Sequence, residues 1–398
     1  MLKSAPLQIK KPHIAILIFL SALSPVAMNI FIPSMPNLTE SLNTQHNIAQ
    51  LTLTFYLIAF AIAQLIHGPL SDRFGRRPIL IAGVIIFIIA SLGCAFAYNI
   101  EQLIIGRIFQ AAGGCAGIVT TRAIVRDLYE RDKAASLIGY MTMIMALAPL
   151  MSPTIGGFID QYSGWRTSFY FVAIMGIIAY ILAFKFLHET NHQPIDSINV
   201  REIATKYFTL LKEKQYIGFV CGMAFSSSVF FSFIAGAPFL VTKILNLEPS
   251  VYGFYFVMVS FGYMVGNFLS GKLTTRLGSY KMFMLSNLVL IIGMAILLVA
   301  AYVGISQPVY IFAPMAIVAC ANGLAIPSAM ASALSVRPEI AGTASGLAGF
   351  TQIALGAFAT FIVGYFHNGT TTPMITSMVV GGVLSIFCFV ILEKKDSV

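Results

Sequence analysis

Gly68-Pro69-Leu70-Ser71-Asp72-Arg73-Phe74-Gly75-Arg76-Arg77-Pro78 separates two long apolar runs. A connection this short between two spanning helices must reverse the chain at once, which gives Gly75 and the flanking prolines local work. Arg73, Arg76 and Arg77 cannot cross a bilayer cheaply, so the loop belongs on the cytoplasmic side of a membrane. The composition around it agrees. Of 398 residues, 58% are hydrophobic and 10% charged, with a mean hydropathy of +0.86. A soluble domain carries about a quarter charged residues, so a water-facing globule is excluded. The run from His13 to Phe31 is too long for a cleavable signal and lacks a small-residue cleavage site, so it reads as the first span. A net charge of +9 does not point to nucleic acid, because the cations cluster in alternate loops and form no continuous basic face. Cys94, Cys115, Cys221, Cys320 and Cys388 all fall inside apolar runs without paired spacing, so free buried thiols are expected.

Spans need about twenty apolar residues, and twelve stretches qualify. They run over 13–33, 47–67, 78–98, 101–124, 135–159, 165–187, 214–240, 251–271, 281–303, 309–332, 342–364 and 373–392. An even number puts both termini on one side, and Lys3, Lys10, Lys11, Lys394 and Lys395 place that side in the cytoplasm. Loops on the other side carry only Arg166 and Lys243 as cations. The polar stretch from His188 divides the chain into a first half at 1–187, a cytoplasmic connection at 188–213 and a second half at 214–398. Within the connection, Ile203, Tyr207, Leu210 and Leu211 fall at helical spacing, which suits a short amphipathic surface helix. The halves also repeat: Gly271-Lys272-Leu273-Thr274-Thr275-Arg276-Leu277-Gly278 echoes Gly68 to Gly75, keeping Gly, Leu, Arg and Gly. Duplicated six-helix bundles around a central cavity follow. The fold class expected is an all-α polytopic membrane protein with twelve transmembrane helices in two pseudo-symmetric six-helix bundles.

Three further stretches carry a pattern. The first span reads Leu23-Ser24-Pro25-Val26-Ala27-Met28-Asn29-Ile30-Phe31-Ile32-Pro33-Ser34-Met35-Pro36. The fourth holds Arg107-Ile108-Phe109-Gln110-Ala111-Ala112-Gly113-Gly114 and then Arg122-Ala123-Ile124-Val125-Arg126-Asp127-Leu128. The fifth holds Ala148-Pro149-Leu150-Met151-Ser152-Pro153-Thr154-Ile155-Gly156-Gly157. Together with the opening loop, which matches G-x-x-x-D-R-x-G-R-R, they resemble the major facilitator superfamily, and within it the Bcr/CflA drug-resistance subfamily of the drug:proton antiporters. The resemblance implies the two-bundle fold, efflux of small molecules, a bacterial inner-membrane location and protons as coupling ion.

The residues have readings of their own. Pro149 and Pro153 remove backbone donors and bend the fifth span, while Gly156 and Gly157 let a neighbouring helix approach, as a gate or a packing seam requires. By resemblance, Asp72 meets the start of the eleventh span when the inside is closed, and Arg76 and Asp127 complete a charge relay, with Arg73 and Gly75 among the gating residues; anchoring of the loop is the alternative. Arg107 lies about two turns into the fourth span, facing either a cavity or the backbone carbonyls of the first span, with Gln110 on the same face. Asn29, Tyr56, Gln64, Arg107, Gln110, Ser226, Phe230, Phe231, Tyr255, Tyr263, Asn322 and Gln352 are candidates to line the cavity. Such a wall suits amphipathic, neutral or weakly anionic cargo.

His188-Glu189-Thr190-Asn191-His192 fits the zinc-helix pattern H-E-x-x-H. Pro194 just beyond and the want of a clear third ligand argue against it, so no metal and no cofactor is expected. Asn29 occupies the place where the subfamily carries an acid. An amide cannot titrate, and none of the fifteen acids lies deep in a span. The expected function is export of drugs or other small amphipathic molecules by a functional monomer working through alternating access. A metabolite or siderophore-like transporter without proton coupling is the alternative. A membrane-embedded enzyme or receptor would need a nucleophile, base or metal set, and none is evident.

Overall fold

Apolar runs of this length satisfy their backbone without water only as helices or closed barrels. A computed structural model describes residues 12–130, 133, 137–138, 141, 147–191 and 200–393. Among these the regular structure is helical throughout. The elements are α1 (Ile14–Ile30), α2 (Met35–Ser41), α3 (His46–Phe74), α4 (Arg76–Ala95), α5 (Ile100–Leu128), α6 (Leu147–Ser163), α7 (Trp165–Phe186), α8 (Val200–Lys212), α9 (Lys214–Phe239), α10 (Pro249–Leu277), α11 (Ser279–Val303), α12 (Val309–Val336), α13 (Ala341–Tyr365) and α14 (Thr372–Glu393). Ten helical stretches are long and apolar enough to span a bilayer. α6 and α14 stand where the fifth and twelfth spans are expected. The first part of that fifth span lies outside the described residues, as does most of 135–146. α8 is the amphipathic helix of the connection: Leu210 is fully buried, whereas Phe208 and Leu211 are exposed.

Helix packing falls into two groups. α1, α3, α4, α5, α6 and α7 pack among themselves, as do α9, α10, α11, α12, α13 and α14, and the groups meet along two seams, α3 with α13 and α6 with α10. The repeat in the sequence has a counterpart here. α10 begins and ends 203 residues beyond the two ends of α3, and each stops at a glycine with positive φ, 95° at Gly75 and 80° at Gly278. Only glycine takes that conformation without strain, so the two turns are the same device used twice. Ile58, Ile62, Ile66, Phe254, Phe261 and Phe268 remain exposed on the outer faces of α3 and α10, as side chains turned to lipid should.

The first span is broken. The Phe31 N–H, which in an unbroken helix would bond Ala27 O, bonds Asn29 O instead, and the Ser34 N–H bonds Phe31 O rather than Ile30 O. A single 3₁₀ turn at Ile32–Ser34 follows before α2 resumes. The sequence reading of one span over 13–33 gives way to this bend. Pro33 lies within the 3₁₀ turn and Pro36 near the start of α2, places where a missing N–H is tolerated.

Candidate functional site

Three layers of polar structure occupy the helix group formed by α1 and α3 to α7. The end that carries Gly68–Pro78 is called the loop end; the opposite end carries Asn99 and Gly164.

At the loop end, Arg76 is the hub. Its guanidinium donates to Asp72, to Ser71 Oγ at 2.8 Å and to Asp127 Oδ2 at 3.0 Å. Thr190 Oγ1 adds a second donor to that Asp127 oxygen at 3.0 Å, and Asn191 Nδ2 donates to Asp72 O at 2.7 Å. Glu189 closes the arrangement from 113 residues away. Its carboxylate accepts from the Arg76 and Arg77 N–H groups at 2.9 and 3.1 Å, the first turn of α4. Gly75 at the N-cap has no side chain to offer, so this remote acid caps the helix, where negative charge is favourable. Asp72 makes no hydrogen bond to α13 in this structure, and Arg73 lies over Phe74 at 5.0 Å. Sequence reading did not single out Glu189; the missing cap at a glycine was the available signal. Glu189 belongs to the H-E-x-x-H match, yet Leu187 to Asn191 are not helical, and among the described residues no three metal-ligating side chains come together.

Glu189→Ala is therefore expected to destabilise the protein by about 1–2 kcal/mol, the usual loss for a helix cap. Thermal unfolding in detergent would show it. A melt unchanged from the parent would mean that water replaces the carboxylate without loss.

The middle layer centres on Arg107, which is 0% exposed. Nη1 donates to Ala27 O at 2.9 Å and to Gln110 Oε1 at 2.6 Å, and Gln110 passes a bond on to Ser91 Oγ at 2.8 Å. The guanidinium lies over the rings of Tyr56 and Phe31, 4.0 and 4.4 Å from their centroids. Nε and Nη2 have no hydrogen-bond partner, so their compensation comes from these ring faces. The carbonyl it reaches is one that the break in α1 left free. A cation at a helix C-terminus also meets the negative end of the helix dipole. Arg107 thus takes a backbone carbonyl of the first span, one of two compatible readings open to it. Asn29, likewise 0% exposed, donates from Nδ2 to Pro25 O at 2.7 Å, leaving Oδ1 without a partner.

Tyr56 also bonds to Ser24 and belongs to an apolar cluster with Phe60, Ala63, Ala111, Cys115 and Ile118. Ile353 of α13 packs on that cluster, so this face of α3 and α5 looks toward the second helix group. Gln64 lies on α3 with its Oε1 unpartnered, and the remaining cavity candidates lie in that second group. Asn322 accepts from Ser226 at 2.9 Å, Gln352 donates to Ser227 at 2.9 Å, Phe231 packs against Gly356, and Phe230 meets Phe231 and Phe256 edge-on or tilted.

The third layer joins the helix groups at the end opposite the loop. Lys243 pairs with Glu40, Thr54 bonds Thr360 at 2.9 Å, and the His46 ring lies 4.4 and 5.0 Å from those of His367 and Phe239. α6 supplies the closest approach. A Cβ on Gly156 would overlap the Ile30 carbonyl, and one on Gly157 would lie 2.8 Å from Pro249 O. Thr154 Oγ1 donates to Gly253 O at 2.7 Å across the same seam. Pro153 is inside α6, with its carbonyl against Gly253. Pro149 lies in the same helix, and its side chain is outside the described residues.

The family model described as Major Facilitator Superfamily matches residues 17–361. A bicyclomycin resistance protein homolog of Haemophilus influenzae is 28% identical over 95% of both chains. Multidrug resistance protein D of Escherichia coli is 26% identical over 96% of this chain and 95% of its own. Among solved structures, a D-xylose–proton symporter superposes with a TM-score of 0.73 at 17% identity, over 94% of this chain and 96% of that one.

Proposed function

The chain belongs to the major facilitator superfamily, and from that membership we propose a bacterial inner-membrane transporter that exports drugs or other small amphipathic molecules by alternating access. It is a multi-pass membrane protein with the family and fold of transporters. The observation that carries the export reading is full-length likeness to relatives named for drug resistance. In this reading residues 1–187 and 214–398 are the two moving halves, 188–213 connects them, and the loop end faces the cytoplasm.

Alternating access is supported by where the halves touch. The ion pair, threonine pair, ring contacts and the Gly157 and Gly253 approaches lie toward the end opposite the loop, while nearer the loop the glycines of α13 meet α3 and α5 only through the side chains of Gln64 and Arg126, a distribution that favours an inward-facing reading. The Arg76 network, with Asp72 free of α13, is then the gate in its released form, and turning Asp72 toward the start of α13 would close it. The cargo path runs along the half-buried rim of the Tyr56 cluster, at Ala59, Ala112, Val119 and Ile353, apolar as pockets for amphipathic molecules are.

Proton antiport is the finer reading. One observation favours a carrier without proton coupling: Asn29 stands in the acid's place, fully enclosed, with its amide donating to Pro25 O. Transport in proteoliposomes with and without an imposed pH gradient separates the two. Antiport predicts export several-fold faster with acid on the receiving side; equal rates assign the chain to the uncoupled alternative. Asn29→Asp is expected to fold as the neutral acid, whose O–H can donate to the same carbonyl, because an isolated buried carboxylate is too costly. Gradient dependence that appears only in Asn29→Asp would show that the coupling group is absent from the parent.

A further inference from the structure

α5 carries three arginines along its length, and their surroundings differ. Arg107 is compensated by a carbonyl, an amide oxygen and two ring faces. Arg122 and Arg126 have no such company. Arg122 is half-buried, and among the described residues it has no hydrogen bond and no ion pair. Its helical face is the one that bears Ala111, Cys115 and Ile118, eleven, seven and four residues earlier, which pack with Tyr56, Phe60 and Ile353. Arg122 thus follows that apolar cluster, and the half-buried Val119 on its rim, by one turn toward the loop end. Gln64 of α3, one turn beyond Phe60, lies at the corresponding depth, with Oε1 buried, unpartnered and 3.2 Å from where Gly349 of α13 would carry a Cβ. One turn further out, exposed Arg126 reaches α13 near its start, its Nη1 3.7 Å from the Cβ position of Gly342.

Of the neighbouring acids, exposed Glu130 lies past the end of α5 and Glu339 pairs with Arg337 before the start of α13, while the other three are committed. Asp127 is held by Arg76 and Thr190, Asp72 by Arg76, and Glu189 by the first turn of α4. Two guanidinium groups one turn apart repel each other, and the N-terminus of α13 adds partial positive charge beside the outer one. A partly desolvated cation without a counter-charge is costly, and an arginine held at such a site marks the path of a charged ligand. We propose that the cargo is anionic: an amphipathic molecule whose apolar body lies along the half-buried rim of that cluster, at Ala59, Ala112, Val119 and Ile353, and whose carboxylate, sulfonate or phosphate group pairs with Arg122, with Arg126 guiding it in. The planar fork of arginine suits each of those oxyanions.

The inference rests on that surface being the cargo path, so its test is equilibrium binding, which does not depend on the direction or driving force of transport. Dansylglycine and dansylglycinamide share a skeleton and differ by one negative charge. Their binding to the purified full chain in phosphatidylcholine nanodiscs is followed by dansyl fluorescence. The parent should bind dansylglycine at least tenfold tighter than the amide. Arg122→Gln should abolish that preference while leaving amide binding within twofold, and Arg126→Gln should weaken it by a smaller factor. Equal binding of the two probes by the parent overturns the proposal, as does a preference that survives in Arg122→Gln. If the glutamine variant does not fold, Arg122→Met is judged by the same two criteria. Absence of net export in proteoliposomes would overturn the exporter reading and leave this result standing.

Discussion

Replacing Gly156 with alanine is expected to strip the membrane of most of its folded protein. The added Cβ would overlap the Ile30 carbonyl, and the atoms behind it are the Ile30 carbonyl carbon and Cα. Backbone cannot swing aside as a side-chain tip can, so α6 must back away from α1 or the bend in α1 must straighten. Overpacking of a well-filled core costs about 1–3 kcal/mol and sometimes more. This site belongs at the top of that range, because a rigid helix end is the obstacle. Thermal melting in detergent, together with the yield of monodisperse protein, measures the loss. Gly346→Ala is the control. That glycine is inside α13 with nothing within 4 Å of the Cβ position, so alanine there should gain about 0.5–1 kcal/mol from helix propensity. Equal behaviour of the two variants would show that the seam between α6 and α1 yields easily, and the close approach would then have no mechanical meaning.

That seam shows how far the sequence could be read. Spans, loop polarity, the duplication and the small residues of the fifth span are written in composition and period, properties that a single chain displays locally. The helix α8 is another such case, with Leu210 inward and Phe208 outward as its spacing demands. What escaped reading depends on partners distant in the chain. Glu189 caps a helix whose own N-cap is Gly75, and nothing near Gly75 says which acid will arrive. The break in α1 frees the Ala27 carbonyl, which Arg107 of another helix takes, and Gly156 of a third leaves the room that the Ile30 carbonyl occupies. Arg107 lies over the Tyr56 ring, and both, like Asn29, are 0% exposed, enclosed among helices that the sequence does not name as neighbours. The cationic face of Arg122 and Arg126 was visible as residues, while its lack of acids became visible only once Asp127 was seen bound elsewhere.

Arg107 gives the second large effect, and its direction follows from what the guanidinium touches. Arg107→Ala removes the donor to Ala27 O, unpairs Gln110 Oε1 and leaves a void between the Phe31 and Tyr56 rings. Truncating a large buried side chain costs about 2–5 kcal/mol, and the unsatisfied carbonyl and amide oxygens add to that. Most of the folded population should be lost. Lysine restores charge but not the planar group that lies between two ring faces, and its ammonium is harder to dehydrate, so Arg107→Lys should remain well below the parent. Methionine matches the length without a charge to bury, and buried ions exchanged for apolar groups of similar volume often cost little. Arg107→Met should therefore be the most stable of the three. If Arg107 serves to hold the bend of α1, transport will fall in the order in which stability falls: methionine least, then lysine, then alanine. A methionine variant with parental melting and no transport would contradict this, and would show that the charge itself is used in the cycle.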